Sequence, residues 1–398
     1  MREAVIVDAI RTPSGRGKPG GALSSWHPVE LLAETLQALI GRAGIDPQRV
    51  DDVIAGCVSQ AGEQAANIAR NAWLAAGLPE SVPATTVDRQ CGSSQQAAHF
   101  AAQGIIAGAY DVVVVCGVES MSRVPMFAAA GDADPFGRLL NERYAPGLVQ
   151  QGISAELIAA RWGFDRAALD AFAAESHRRA AEATEEGRFL AEVLPVKTTV
   201  GDEPFLLSVD ETIRPGTTPE ALARLSPSFV DEQVHRRFPQ IAWHITPGNA
   251  SPLTDGAAAL LVMERGLAED LGLRPRAAFR HFHVVGDDPL QMLTGPIAAT
   301  ERVLERARLS IDDIDAFEVN EAFAPVVLAW SRETGGDLER TNVNGGAIAL
   351  GHPLGASGAK LMTTLVHVLE QTGGRFGLQT MCEGGGMANA TIIERLES

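Results

Sequence analysis

The chain repeats itself. Residues 49–57 (RVDDVIAGC) align with residues 310–318 (SIDDIDAFE) at an offset of 261. The same offset carries Cys91 onto His352, and each of these opens a Gly/Ser segment that turns helical, CGSSQQAAHFAA and HPLGASGAKLMTTL. Two closing segments match in the same order, YDVVVVCGVES with FGLQTMCEGGG, at an offset of 266. Three motifs in one order predict two similar halves whose equivalent loops meet at one place.

Within the first half, strand-like and helix-like runs alternate. Residues 4–9 and 50–58 are apolar and β-rich, 28–44 carries apolar residues at helical spacing, and 94–108 is Ala-rich and helical. The run DVVVVCG (111–117) suits a strand buried on both faces. Such alternation predicts an α/β fold, a sheet covered by helices. Between the halves Pro, Gly and charged residues rise, and buried-strand runs give way to helices such as ISAELIAARWG. The expected organisation is a first half of residues 1–119 and 250–270, an inserted subdomain of residues 120–249 that covers the site, and a second half of residues 271–398.

Composition bounds the function. At 398 residues and 45% hydrophobic the chain supports two or three units with large cores, and 5% aromatic content favours close helix-on-sheet packing. A formal net charge of −17 argues against nucleic acid as a partner, so any anion site must be built locally. Thirty of the 33 basic residues are Arg, which reads as compositional bias. The four cysteines form no C-x-x-C pair, so neither a structural zinc nor a disulfide framework is expected, and a reducing compartment is. The start MREAVIVDAIRTP lacks the pattern of a secretory signal, and no apolar run is long enough for a membrane span. The end LES carries no peroxisomal address, and the cytoplasm is the expected compartment.

The chemistry sits in three segments. Cys91 follows an extended stretch and precedes a helix, where unpaired N–H groups favour a thiolate, and its neighbours are polar, unlike those of a packing cysteine. His352 lies between glycines beside Pro353 and is placed to activate that thiol or to donate to a thioester oxygen. Cys382 precedes three glycines, a run in which backbone N–H groups can converge on an oxyanion, and its thiol suits proton transfer alpha to a thioester carbonyl. Asn320, in EVNEAFAP, can hold a water or donate to an oxyanion, or else cap the following helix together with Glu321. Cys57 and Cys116 lie in apolar runs and read as packing residues. The clusters SHRRA (176–180) and HRRF (235–238) are candidate phosphate contacts or solvated helix faces.

These motifs, with EAVIVDAIRTPSGR, GVESMSRVP, GNASPLTDGAAALLVM, NGGAIALGHPLGASG and CEGGGMANATIIE, closely resemble those of the thiolase family over essentially the whole chain. The resemblance implies two βαβαβαββ halves in a layered α-β-α-β-α core, an inserted loop domain, and a homodimer or homotetramer. It implies that Cys91 is the acylated nucleophile. His352, with a water held by Asn320, would bind the thioester oxygen, and Cys382 would be the second acid/base. The N–H groups of Cys91 and Gly384 would form another oxyanion hole, and Ser251 would touch the pantetheine arm of coenzyme A. No metal or tightly bound cofactor is implied; CoA and acyl-CoA are the substrates.

The chain departs from the family pattern at Asp88 and Ser94, where Asn and Gly are common beside the nucleophile. It also departs at Gln150-Gln151-Gly152, where short-chain biosynthetic members often carry His-Met-Gly. The departures point to a degradative enzyme for longer or bulkier acyl chains, like actinobacterial thiolases of lipid or steroid side-chain breakdown. The alternatives are a short-chain enzyme working in the condensing direction, a ketoacyl synthase, against which Cys382 argues, and a non-catalytic CoA- or lipid-binding relative, against which all three catalytic candidates argue.

Overall fold

The computed structural model describes residues 2–200 and 203–397. The first half runs β1 (Ala4–Arg11), α1 (Pro28–Ala43), β2 (Asp52–Gly56), α2 (Ile68–Ala75), β3 (Ala84–Val87), α3 (Ser93–Ala107) and β4 (Val112–Ser120). An excursion carrying α4 (Gln151–Trp162) and α5 (Arg166–Glu185) intervenes before β5 (Thr254–Glu264). The second half runs β6 (Ala277–Gly286), α6 (Gly295–Ala307), β7 (Ala316–Val319), α7 (Ala324–Thr334), α8 (Ser357–Thr372), β8 (Phe376–Glu383) and β9 (Met387–Arg395). The strand order is β7-β8-β9-β6-β1-β5-β4-β2-β3. The halves join edge to edge through two pairs only, Val5 with Ala278 and Ile6 with Ala277.

The strands are apolar on both sides because both sides are covered. On β1, Val5, Val7 and Ile10 face an outer core with Leu32 and Leu36 of α1 and Trp73 of α2. Ala4, Ile6 and Ala9 face a central core with α3 and α8. The alternation changes phase after Val7, where a register shift between Ile6 and Asp8 inserts one residue against β5. A third core packs α6 and α7 (Val303, Trp330) against the far face of the second half's sheet (Phe317, Leu378, Ile392). The result is five layers, with α3 and α8 in the middle. Those two helices pack closely because their contact residues are small: a methyl at Gly358 would lie 2.2 Å from the Gln95 nitrogen. Each apolar side chain fully buried in these cores contributes about 1.5–3 kcal/mol.

The structure corrects the register of the repeat. Asp52 pairs with Val113 on parallel strands, and Ala316 pairs with Gly377, so equivalent residues are 264 apart (316 − 52 and 377 − 113). The carboxylate of Asp51 accepts the N–H groups of Asp111 and Val112, and Asp315 does the same for Arg375 and Phe376. The 261 offset matched an Asp pair by composition, whereas the conserved contact is made by the aspartate just before each strand. At 264, Cys91 is equivalent to Gly355 and His352 to Asp88. The two catalytic candidates are therefore not each other's counterparts in the repeat.

The excursion contributes one strand pair, Val196–Val200 with Glu203–Leu207, among the described residues. It is tied to the first half through Arg11 of β1. That guanidinium is fully buried, contacts Glu192 at 2.7 Å and grips both oxygens of Asp210 at 2.8 and 3.0 Å. No helix is long and apolar enough to cross a membrane among the described residues.

Candidate active site

Cys91 sits on a tight connection between the exposed edge strand β3 and the start of α3. The Asp88 carboxylate accepts the Gln90 N–H at 2.7 Å, and the Ser93 hydroxyl accepts from the Arg89 N–H at 2.9 Å while donating to Gln90 O at 2.6 Å. These contacts hold Gln90 at φ +49°, a left-handed conformation that turns the chain sharply into the helix. Cys91 is buried at the helix entrance. Its thiol is pushed up to about 12, by burial first and then by the nearby Glu383 carboxyl; its own backbone N–H and the Gln151 side chain act the other way. The sequence predicts a lowered value from the helix terminus. Desolvation outweighs that dipole and favours the thiol form of Cys91.

His352, the candidate base of the sequence, lies in a tightly held loop. Its N–H donates to Thr254 Oγ1 at 2.9 Å, and its Nδ1 lies 2.5 Å from Ser357 Oγ. The Ser357 hydroxyl donates to Pro353 O at 2.9 Å, so Oγ accepts from Nδ1–H and leaves Nε2 as the acceptor. Asn320 Nδ2 is 3.4 Å from Nε2, and Asn320 Oδ1 has no partner among the described residues. Burial, then the Lys360 cation, pulls the imidazole down to about 3, which keeps it neutral. The loop is held on both sides. The buried Lys360 ammonium donates to Gly351 O (3.0 Å), Ser14 Oγ (2.9 Å) and Leu350 O. The buried Glu119 carboxylate accepts from the N–H groups of Gly355 (2.9 Å), Val58 (2.9 Å) and Ser59 (3.0 Å) and from Gln64 Nε2 (2.9 Å).

Cys382, at the end of β8, is buried among Met292, Leu293, Phe323, Ile348 and the α4 residues Ala155 and Ile158. Its thiol is raised well above the ordinary range, by burial first and then by Cys91, which is close enough to interact electrostatically. Gly384 lies against the Cys91 loop: a methyl there would be 2.8 Å from Gln90 Oε1. Asn320 follows β7, with its N–H on Thr380 O of β8 at 3.1 Å. Ser251 is half-buried, and its N–H donates to Ala322 O at 3.0 Å, two residues past Asn320. The structure therefore pairs His352 with Asn320, Cys91 with Cys382 and Gly384 with the Cys91 loop, with Asn320 bonded to β8 two residues before Cys382 and Ser251 bonded beside Asn320. Among the described residues no group of three or more His, Cys, Asp or Glu side chains is placed to hold a metal ion.

Other expectations change. Glu321 does not cap α7; it accepts from Ser176 Oγ, Asn342 Nδ2 and Ile348 N, and so pins the turn at residues 347–350 that leads to His352. Phe323 occupies the cap position of α7, and Ala324 N–H donates to Asn249 O instead. Ser94 does not line the pocket. It is fully buried, and its hydroxyl accepts the Ala359 N–H at 2.9 Å, joining α3 to α8. In SHRRA, Arg178 and Arg179 are committed to Glu175, and His177 accepts the Arg214 N–H. In HRRF, Arg237 donates to Gly147 O. Gln151 is the site residue that the residue-by-residue reading missed; its only sequence signal was the unusual Gln150-Gln151-Gly152 segment.

Two similar halves, with a cysteine at a helix entrance and a second thiol near it, form an α/β fold, and comparison with known proteins gives the family. Models of the thiolase N-terminal and C-terminal domains match residues 4–266 and 273–395. A steroid 3-ketoacyl-CoA thiolase, FadA6, of Mycobacterium tuberculosis is 49% identical, covering 100% of this chain and 95% of that one. A 3-ketoacyl-CoA thiolase of Escherichia coli is 46% identical over the full length of both. The crystal structure of an acetyl-CoA acetyltransferase of Bacillus anthracis superposes with a TM-score of 0.88 at 37% identity, covering 100% of this chain and 99% of that one. The chain belongs to the thiolase family, a family of acyltransferases.

Proposed function

We propose that this chain is a degradative thiolase, cleaving 3-ketoacyl-CoA with CoA into acetyl-CoA, or propionyl-CoA, and a shortened acyl-CoA. The observation that carries the reading is a pair of neighbouring thiols, Cys91 after β3 and Cys382 at the end of β8, beside a neutral imidazole held to the Asn320 amide after β7. His352 Nε2 takes the Cys91 proton as Sγ bonds to the 3-keto carbon. The C2–C3 bond breaks, the acyl group stays on Cys91 as a thioester, and the departing enolate takes the Cys382 proton. CoA then gives its thiol proton to Cys382 and attacks the thioester. Cys91 leaves as a thiolate and recovers its proton from His352. Asn320 with a water, and the N–H groups of Cys91 and Gly384, serve the two oxyanions, and Ser251 guides the pantetheine arm.

The substrate class follows from two features. Gln151, on the excursion, lies near Cys91 where short-chain enzymes often carry His-Met-Gly, and the chain is similar to a steroid thiolase across its full length. Long or bulky acyl chains are the proposed substrates. The excursion, residues 120–249, is the proposed cover of the site, between halves at 1–119 with 250–270 and 271–398. The working form is a homodimer or homotetramer in the cytoplasm, a compartment that suits four free, buried cysteines. The test is CoA-dependent cleavage across a 3-ketoacyl-CoA series from four carbons to polycyclic acyl groups, with Cys91→Ala as control. Activity peaking at long or bulky substrates and absent in the control is expected. Preference for acetoacetyl-CoA returns the chain to the short-chain class, and no cleavage of any member refutes the enzyme reading.

A further inference from the structure

The repeat places two carboxylates in equivalent positions, Glu119 at the end of β4 and Glu383 at the end of β8, 264 residues apart. Each reaches across to the other half's active-site loop. Glu119 is saturated, accepting four N–H donors including that of Gly355. Glu383 is as deeply buried, yet neither of its oxygens has a hydrogen-bond partner among the described residues. It lies against Gly92, the residue after Cys91: a methyl on Gly92 would be 1.9 Å from Glu383 Oε1 and 2.9 Å from Asn389 Nδ2. Only glycine leaves room for this carboxyl at the entrance of α3. Asn389 donates that amide to Gly92 O at 3.2 Å, and its own Oδ1 also lacks a donor. A buried carboxyl without donors, beside an acceptor without donors, is a site that holds a proton.

We propose that Glu383 is a positioning residue for the Cys91 reaction, protonated when the nucleophile ionises and suppressing the thiolate when it is itself ionised. This rests on Cys91 being the nucleophile. The charged or titratable groups facing Glu383 are Arg89 and Asp88 on the loop before Cys91, Cys91 itself, and the adjoining Cys382. Burial dominates over Arg89 and lifts Glu383 to about 8, while an ionised Glu383 is the second cause that raises Cys91. Burial raises Glu119 in the equivalent position too, but there four N–H donors pull the other way, and Glu383 has none among the described residues.

The test is the rate of Cys91 alkylation by iodoacetamide against pH, read on the Cys91 peptide by mass spectrometry, in the wild-type chain and in Glu383→Gln. At pH 6.5 the two rates coincide. At pH 9 the variant reacts at least about tenfold faster, the effect of one pKa unit on the thiolate fraction. A variant-to-wild-type ratio that is the same at every pH overturns the proposal, because a packing role has no pH signature. If the variant does not fold, the wild-type profile decides. The proposal expects the logarithm of the rate to rise, flatten as Glu383 ionises, and rise again; an uninterrupted unit slope overturns it. Alkylation needs no acyl-CoA, so its outcome is separate from failure of the thiolase reading.

Discussion

Replacing Lys360 with Met removes a cation while keeping the length of the side chain. Burial pulls the Lys360 amine down to about 7, while Asp210, Glu192 and Glu318 favour its charged form and the buried Arg11 cation opposes it. It is also the donor to Gly351 O, one residue before His352. Removing one member of a buried charge set costs about 3–5 kcal/mol, and an unpaired buried carbonyl about 1–3 kcal/mol more. The two terms overlap, so about 4 kcal/mol is expected, a large share of the 5–15 kcal/mol that usually separates folded from unfolded. Catalysis should suffer separately. Without the cation the His352 imidazole rises from about 3, so the acid limb of the thiolysis profile moves to higher pH. Urea denaturation and kcat against pH read both effects, with Lys360→Arg as the charge-preserving control. A Met variant within 1 kcal/mol of wild type, with an unmoved acid limb, would refute this account of the His352 loop.

Ser94→Ala leaves the Ala359 N–H without its acceptor inside the central layer and should lower stability by about 1–2 kcal/mol, with KM little changed; a changed chain-length preference would show that this residue shapes the pocket after all. Gln151→Leu removes a hydrogen bond that stabilises the Cys91 thiolate, so alkylation of Cys91 should slow severalfold at neutral pH; an unchanged rate would exclude that contact. Glu175 is held down to about 2, chiefly by its hydrogen bond to Arg178, so its contribution is present above the usual carboxylate range and lost as pH falls toward 2. Glu175→Gln should flatten acid unfolding in that window, and identical acid-unfolding curves would remove Glu175 from the account.

The strands and helices of both halves were legible because their apolar patterns run unbroken: Val112–Ser120 and Ser93–Ala107 lie within a few residues of the runs read from sequence. The candidate nucleophile and its candidate partners stood out in the sequence for a different reason, their glycine-rich and polar surroundings. Three things were not. The offset of 264 depends on which aspartate accepts two N–H groups, Asp51 with Asp315, and a string match cannot see that. The raised Cys91 depends on desolvation by residues far away in the chain. Glu321 and Glu383 each look like ordinary surface acids beside a motif, and only their burial against Ile348 and Gly92 reveals what they do.

The central claim is a covalent acyl group on Cys91. Intact-protein and peptide mass spectrometry after brief incubation with a 3-ketoacyl-CoA, without free CoA, reads it directly. The account predicts a mass gain equal to the shortened acyl group, located on the Cys91 peptide, absent in Cys91→Ala and discharged by added CoA. An unmodified Cys91 with acyl-CoA bound, or an acyl group on Cys382 instead, would contradict it.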